Sequence, residues 1–473
     1  MLLSYIEMKN KFYITTSIAY TNALPHIGFV LELVQADVLA RHQKILGKNV
    51  FFLTGTDEHG LKIERKAEEQ GKAPIVFVDE ISERYRALTK VLNISNNDFI
   101  RTTDRKRHWP TVEKFWNKLV KKGDIYKKKY KGLYCVGCEA FVKEKDLING
   151  KCPNHDNKPE SVEEENYFFK LSKYASLVKK EIEKDKIKII PESRKNEILS
   201  FINQGIEDIS VSRSKESSKW GIPVPDDPDQ IIYVWFEALL NYLFPHRYWP
   251  ADVHCLGKDI FRFHALMWPA MLLAVGLERP KNIFVHGFIT ADGKKMSKSL
   301  GNVIGPFELV GKYGVDAVRY FLLREIPSTE DGDFTYDKFE QRYNSDLASG
   351  IGNLVARVVK IAQSLKLSVP DKLSDKSFQK AIDKSKKEYK KALDEFKFNE
   401  ALAVIWELIS FCDKYIEKER PWEQSDNQNT ILNNLLFAIK EIASLLKPFL
   451  PETSEKILEH LKSEKSIPLF PRI

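Results

Sequence analysis

Over the first hundred residues, short apolar runs alternate with longer stretches whose apolar positions recur every three or four residues. Phe12-Tyr13-Ile14 reads as a buried strand. Residues 26–46 read as a helix with Val30, Val34, Val38 and Ile45 on one face. Val50-Phe51-Phe52-Leu53 reads as a second strand, ending at Gly55-Thr56-Asp57. Helices over about 59–70 and 74–92 follow, with a third strand at Phe99-Ile100. This βαβ alternation predicts a parallel sheet that gathers ligands at the carboxyl ends of its strands. His26 and Asp57 both fall at such ends. The alternation breaks between Arg107 and Trp220. It resumes with strands at 231–235 and 252–256 and a last one at 282–285. From Tyr336 onward the strand signals vanish, and amphipathic stretches interrupted near Pro370, Pro421 and Pro451 predict a helical domain.

At 473 residues the chain is long enough for two to four cores. Its net charge of +8, from 74 Lys+Arg against 66 Asp+Glu, is a mild excess compatible with a polyanionic partner. The run Lys127-Lys128-Lys129 reads as a solvated face. No stretch approaches the ~18–20 apolar residues of a membrane span, and the first ten residues lack a signal-peptide pattern. A cytoplasmic protein is expected, with no membrane partner.

Five cysteines narrow the chemistry. Cys255 and Cys412 are isolated in apolar surroundings and read as buried thiols. Cys135-x2-Cys138, then thirteen residues, then Cys152-x2-His155 offers three thiolates and an imidazole in two knuckle-like turns. Four N/S ligands with no open position describe a structural zinc site, one ion per chain, without a place for catalytic water. The predicted fold class is therefore α/β: a doubly wound parallel (Rossmann-type) sheet split by a zinc-bearing insertion, followed by an all-α helical-bundle domain.

Two further segments point to phosphate. Pro25-His26-Ile27-Gly28 sets an imidazole beside the unpaired N–H groups and positive end of a helix. Lys295-Met296-Ser297-Lys298-Ser299, in a Gly- and Ser-rich context, reads as a mobile clamp for phosphate oxygens. Together they describe a nucleoside triphosphate site built from two distant segments. In such a site His26 can donate to phosphate oxygens while Lys295 and Lys298 follow them as the loop closes.

The pair resembles the HIGH and KMSKS signatures of class I aminoacyl-tRNA synthetases, and the surrounding residues resemble the methionyl-tRNA synthetase family. The resemblance runs from Phe12 through the helical domain. It implies ATP with Mg2+ at His26, Gly28, Asp259, Lys295, Ser297 and Lys298. It implies an L-methionine pocket of Ile18, Tyr20, Asp57, Trp235, Ala238, Leu239, Tyr242, Ile260 and His264, with Phe263 beside them and Arg213 as the arginine that follows the insertion. Asp57 would meet the substrate ammonium. Aromatic rings suit a thioether, at ~0.3–1.5 kcal/mol per sulfur–aromatic contact. Asn353, Arg357 and Trp422 match anticodon-reading positions, which makes tRNA(Met) the expected partner of a monomeric enzyme. The implied domains are 1–106 and 221–305 (catalytic halves), 107–220 (insertion), 306–335 (stem-contact connector) and 336–473 (anticodon-binding).

Two alternatives stand beside this reading. Another class I synthetase, for leucine, valine or isoleucine, would need a larger insertion, and a cysteinyl enzyme would need metal ligands in its amino-acid pocket. Phe29 stands where the signature has its second histidine, which is what an inactive tRNA-binding paralogue would show.

Overall fold

The computed structural model describes residues 10–153, 157–296, 301–373, 375–423, 425–462 and 468–473. The chain divides into two units, Met1–Pro25, Gly47–Thr89 and Asn96–Val285 in the first, and His26–Leu46, Lys90–Ser95 and His286–Ile473 in the second.

The first unit is organised by a seven-stranded sheet. Its strands are β1 (Lys11–Thr16), β2 (Ala19–Tyr20), β3 (Asn49–Asp57), β4 (Asp98–Arg101), β5 (Lys188–Ile190), β6 (Val253–Gly257) and β7 (Asn282–His286). The order runs β3–β1–β6–β7–β5, with β2 and β4 also pairing with β3. The pairs β1–β3, β2–β3, β3–β4, β1–β6 and β5–β7 are all parallel. Central strands of such a sheet are covered on both faces, which is why β1 and β3 read as unbroken apolar runs instead of alternating ones. Gly55 is required in β3, because a Cβ there would lie 2.0 Å from the Ile100 carbonyl oxygen of β4.

Two features differ from the sequence expectation. β5 comes from within 107–220, so the stretch read as pure insertion returns one edge strand to the main sheet. Three residues are too few to show a period. Residues 231–235 are not a strand of the parallel sheet. Asp227–Ile232 lies in a separate three-stranded antiparallel sheet with Ser212–Ser214 and Pro223–Val224. Val234 and Trp235 open the short helix Val234–Ala238. Their aromatic and β-branched character suggested a strand, and burial of Val234, Phe236, Glu237 and Ala238 decided otherwise.

The insertion itself carries a four-stranded antiparallel sheet of Ala140–Val142, Ile125–Cys135, Glu160–Phe169 and Ile209–Ser210. Its long central pair sets the lysine run against acids. Lys129 is in register with Glu165 and Lys131 with Glu163, at 3.5 Å for the latter. Lys127 reaches Asp227 at 2.8 Å and Glu165 at 3.8 Å.

In the second unit the helix Ile27–Ile45 is buried nearly all round, Glu32, Gln35 and Asp37 included, so the single apolar face expected from sequence is too narrow. Ile45, placed on that face, is 53% exposed. Asp37 and Arg319, both fully buried, pair at 2.7 Å. The same guanidinium donates to the carbonyls of Leu92, Pro448 and Phe449. Against the upward push of burial, Arg319 and Arg41 hold the Asp37 carboxyl below its ordinary value. From Tyr336 the described secondary-structure elements are all helices, among them Asn353–Ser364, Lys376–Asp394, Phe398–Glu419, Gln428–Leu446 and Pro451–His460. Pro451 opens the last of these at its first turn, where a missing N–H costs nothing. Among the described residues, no helix is long and apolar enough to cross a membrane.

Candidate active site

His26 caps the helix Ile27–Ile45 from an extended conformation (φ −128°, ψ 170°), and its Nδ1 accepts the Gly28 N–H at 3.1 Å. A ring nitrogen that accepts carries no proton, so in the neutral imidazole the proton is on Nε2. The imidazole is exposed, at a helix N-terminus whose dipole favours anions. Phe29, in the same turn, is half-buried. The Ile27 N–H donates to the Ile304 carbonyl at 3.3 Å, which ties the helix start to the chain leaving the lysine segment.

That segment begins as a hairpin. Ile289–Ala291 pairs antiparallel with Lys294–Lys295 across Asp292 and Gly293, both at positive φ (52° and 70°), as a two-residue hairpin turn demands. Asp333 fastens the turn: its Oδ1 accepts from the Gly293 N–H at 2.8 Å and the Thr290 hydroxyl at 2.7 Å. Lys295 is placed as a strand residue, and Ser297 and Lys298 lie outside the described residues. Asp333 was not legible in the sequence, since it lies 40 residues from its turn and in no motif.

The proposed amino-acid residues all lie in the first unit. Asp57 ends β3, in register with Tyr20 of β2, and is buried with no partner for its Oδ1. Burial first, then Glu237, Glu58 and Glu139, push its carboxyl well above the ordinary carboxylate range. A buried carboxylate oxygen left unpartnered is costly unless a cation arrives. Trp235 and Phe263 stack with ring centroids 4.1 Å apart and planes 5° from parallel. The His264 Nδ1 lies 3.0 Å from the Ile260 carbonyl, so it donates, and Nε2 accepts a hydrogen bond from the Tyr242 hydroxyl at 2.8 Å. Burial lowers the His264 imidazole to about 4, which fixes it as neutral at physiological pH. His264 sits in a single π-turn, Phe263–Met267, a local irregularity often found where a helix serves a site. Ala238 and Leu239 are buried, Ile18 and Ile260 half-buried, and Asp259 exposed. Arg213 is buried among the rings of Tyr134, Phe141 and Tyr233, each 4.6–4.8 Å from its guanidinium carbon.

The cysteine cluster adjoins this group. Cys135 ends the long strand Ile125–Cys135, and the sulfurs of Cys135, Cys138 and Cys152 lie within 4.8 Å of one another, two of them 3.5 Å apart. Tetrahedral zinc with sulfurs at ~2.3 Å would separate them by about 3.8 Å. The three thiols are thus compatible with zinc, while His155, the fourth expected ligand, lies outside the described residues. The cysteine turn also touches the proposed amino-acid residues. Trp235 Nε1 reaches the Cys138 carbonyl at 3.4 Å, and Glu139 accepts from the Tyr20 hydroxyl at 2.9 Å and the Tyr134 hydroxyl at 2.5 Å. Gly60 stands beside them at φ 109°, and a Cβ there would come within 2.9 Å of both Glu139 Oε1 and the Tyr20 hydroxyl.

In the helical domain Asn353 is exposed at the start of its helix, and Arg357 follows one turn later. The Arg357 guanidinium lies 5.4 Å over the Trp422 ring and pairs with Glu417 at 2.8 Å. Trp422 is 46% exposed, unusual for so large a ring.

Comparison with known proteins adds to this geometry. A family model described as tRNA synthetases class I (M) matches residues 12–158 and 142–359, and another, the anticodon-binding domain of tRNA ligase, matches 375–472. The chain is 44% identical over 479 residues to the methionine–tRNA ligase of Caldanaerobacter subterraneus subsp. tengcongensis, covering 96% of this chain and 74% of that protein. It is 42% identical to the methionine–tRNA ligase of Thermotoga maritima, covering 96% and 76%. The solved structure of Mycobacterium tuberculosis methionyl-tRNA synthetase in complex with methionyl-adenylate superposes with a TM-score of 0.90 at 37% identity, covering 95% of this chain and 93% of that one.

Proposed function

This chain belongs to the methionyl-tRNA synthetase family of the class I aminoacyl-tRNA synthetases, and from that premise we propose how its side chains divide the work of a methionine–tRNA ligase. The methionine carboxylate attacks the α-phosphorus of ATP, the bond to the β-phosphate oxygen breaks, and methionyl-adenylate and pyrophosphate result. The methionyl group then passes to the 3′-terminal adenosine of tRNA(Met), and AMP leaves.

His26 donates from Nε2 to the phosphate oxygens on which charge builds, and the Gly28 N–H keeps the ring in that tautomer. Lys295, Ser297 and Lys298 hold the departing pyrophosphate, and Asp259 takes the ribose. The Mg2+ that accompanies ATP supplies further neutralisation of phosphate charge. Asp57 receives the methionine ammonium. Trp235, Phe263, Ala238, Leu239, Ile18, Tyr20 and Ile260 enclose the side chain, with Tyr242 and neutral His264 at the thioether. Cys135, Cys138, Cys152 and His155 hold a structural zinc ion. Asn353, Arg357 and Trp422 read the anticodon.

The observation that carries the amino-acid assignment is the orphaned buried oxygen of Asp57, for which a substrate ammonium is the fitting partner. The test is ATP–pyrophosphate exchange with each amino acid in turn. Methionine alone should support rapid exchange, and exchange driven equally well by leucine, valine or cysteine would overturn the assignment.

For the RNA end, Trp422→Ala should leave methionine-dependent exchange intact and lower the kcat/KM for tRNA charging by roughly 5- to 150-fold, the ~1–3 kcal/mol of one base-stacking contact. An equal loss in both assays would make Trp422 a packing residue of the bundle.

A further inference from the structure

Four carboxylates crowd the place where the ammonium is assigned, and three of them have their own partners. Glu58 is clamped by Arg101, at 2.7 and 2.9 Å, and by the hydroxyls of Thr56 and Thr103. Glu139 accepts from Tyr20, Tyr134 and the Lys62 N–H, with Arg213 lowering its charge cost. Glu237 is gripped from both sides: His59 Nδ1 lies 2.8 Å from Oε1 and His108 Nε2 lies 2.6 Å from Oε2, all three side chains being almost fully buried. Asp57 alone among the four has an oxygen without a partner.

We propose that His59 and His108 are positioning residues for methionine binding: by donating to Glu237 they compensate that buried anion, so that Asp57 keeps its own charge for the substrate ammonium. The inference rests on the assignment of Asp57 above. Glu237 lies on the helix that carries Trp235 and Ala238, and His59 follows Asp57 by two residues, so the same pair joins the two segments that line the pocket. Two further facts agree. Burial raises the Glu237 carboxyl, yet the two imidazoles bring it below its ordinary value. After burial, Glu237 is the largest influence raising Asp57. The other charges facing Asp57 are those of Glu58, paired as described, and of Glu139, which burial leaves above its ordinary value despite Tyr134, Lys62, Tyr20 and Arg213, while His59 donates its backbone N–H to Asp57.

The sign follows. Without a donating imidazole, the uncompensated Glu237 anion raises the Asp57 carboxyl further, Asp57 takes up a proton at higher pH, and the ammonium is lost. The test is the methionine KM in ATP–pyrophosphate exchange, followed from mildly acidic to alkaline pH. His59→Leu and His108→Leu, which carry no donor, should each raise KM steeply on the acid side, about tenfold per pH unit below the displaced limb. Both should approach the parent at alkaline pH, with kcat changed less than KM. Glu237→Gln should leave the acid limb where it is or move it lower, and adding it to His59→Leu should restore the parental profile. A structural brace would instead make Glu237→Gln as damaging as the histidine changes, at all pH values. That outcome, an unshifted limb in both histidine variants, or double variants that unfold along with the single ones, would overturn the proposal. Asp57→Asn separates the premise from the inference: if its methionine KM equals the parent's, the ammonium assignment itself is wrong.

Discussion

His26→Ala should lower the kcat of methionine-dependent ATP–pyrophosphate exchange by about 10²- to 10³-fold, the ~2.7–4 kcal/mol expected for one preorganised donor to a developing oxyanion. Preorganisation is visible in the fold. The Gly28 N–H occupies Nδ1, so the donor face is set before substrate binds and no tautomer shift is needed. Stability should fall only by the loss of a cap, about 0.5–2 kcal/mol, which a thermal melt would register as a small shift. Phe29→Ala should cost far less in kcat. Its ring is half-buried and supplies no N–H or O–H, so the charge-bearing work falls to His26 and the lysines. If Phe29→Ala proves as crippling as His26→Ala, the ring has a direct role at the nucleotide. If the native protein binds tRNA but shows no methionine-dependent exchange, the Phe29 replacement has made an inactive paralogue.

The second large effect is at the knuckle. Elemental analysis should find one zinc per chain, and Cys138→Ser should destabilise the protein by about 4–5 kcal/mol or more, as loss of a structural metal does. The damage should also spread to substrate affinity. The Cys138 carbonyl receives the Trp235 indole N–H, and the adjacent Glu139 holds the Tyr20 hydroxyl, so a slackened knuckle loosens two walls of the pocket. A rise in the methionine KM is therefore expected in any folded fraction, with anticodon-dependent discrimination unchanged. Protein prepared without added metal that contains no zinc, or a serine variant as stable as the parent, would remove the structural ion from the account.

What the sequence disclosed was what local chemistry decides. A histidine before a glycine and an apolar helical pattern becomes an N-cap wherever the helix goes, and Asp57 ends its strand because the apolar run stops there. Cysteine spacing in two tight turns is likewise a local matter. Missed features depended on distant partners or on very short elements. The Lys188–Ile190 strand exists because β7 is there to pair with it, and Trp235 is helical because its neighbours are buried. Glu237 gave no signal at all, since its imidazoles come from 178 and 129 residues away. An acid following aromatic residues reads as an ordinary surface position until both partners are seen.

The lysine run of the insertion, read from sequence as a solvated face, shows no counter-charge in one dimension. In the folded sheet Lys127 and Lys131 face Glu165 and Glu163 across a strand pair, with Asp227 beside Lys127. Opposite charges 3–4 Å apart lie well inside the ~8–10 Å over which salt screens a field, and from beyond that range they read as a row of small dipoles. Their pull on an approaching polyanion fades far faster than that of a lone charge. The long-range attraction that speeds tRNA encounter must come from basic groups elsewhere on the protein, and this ribbon is close to silent in it.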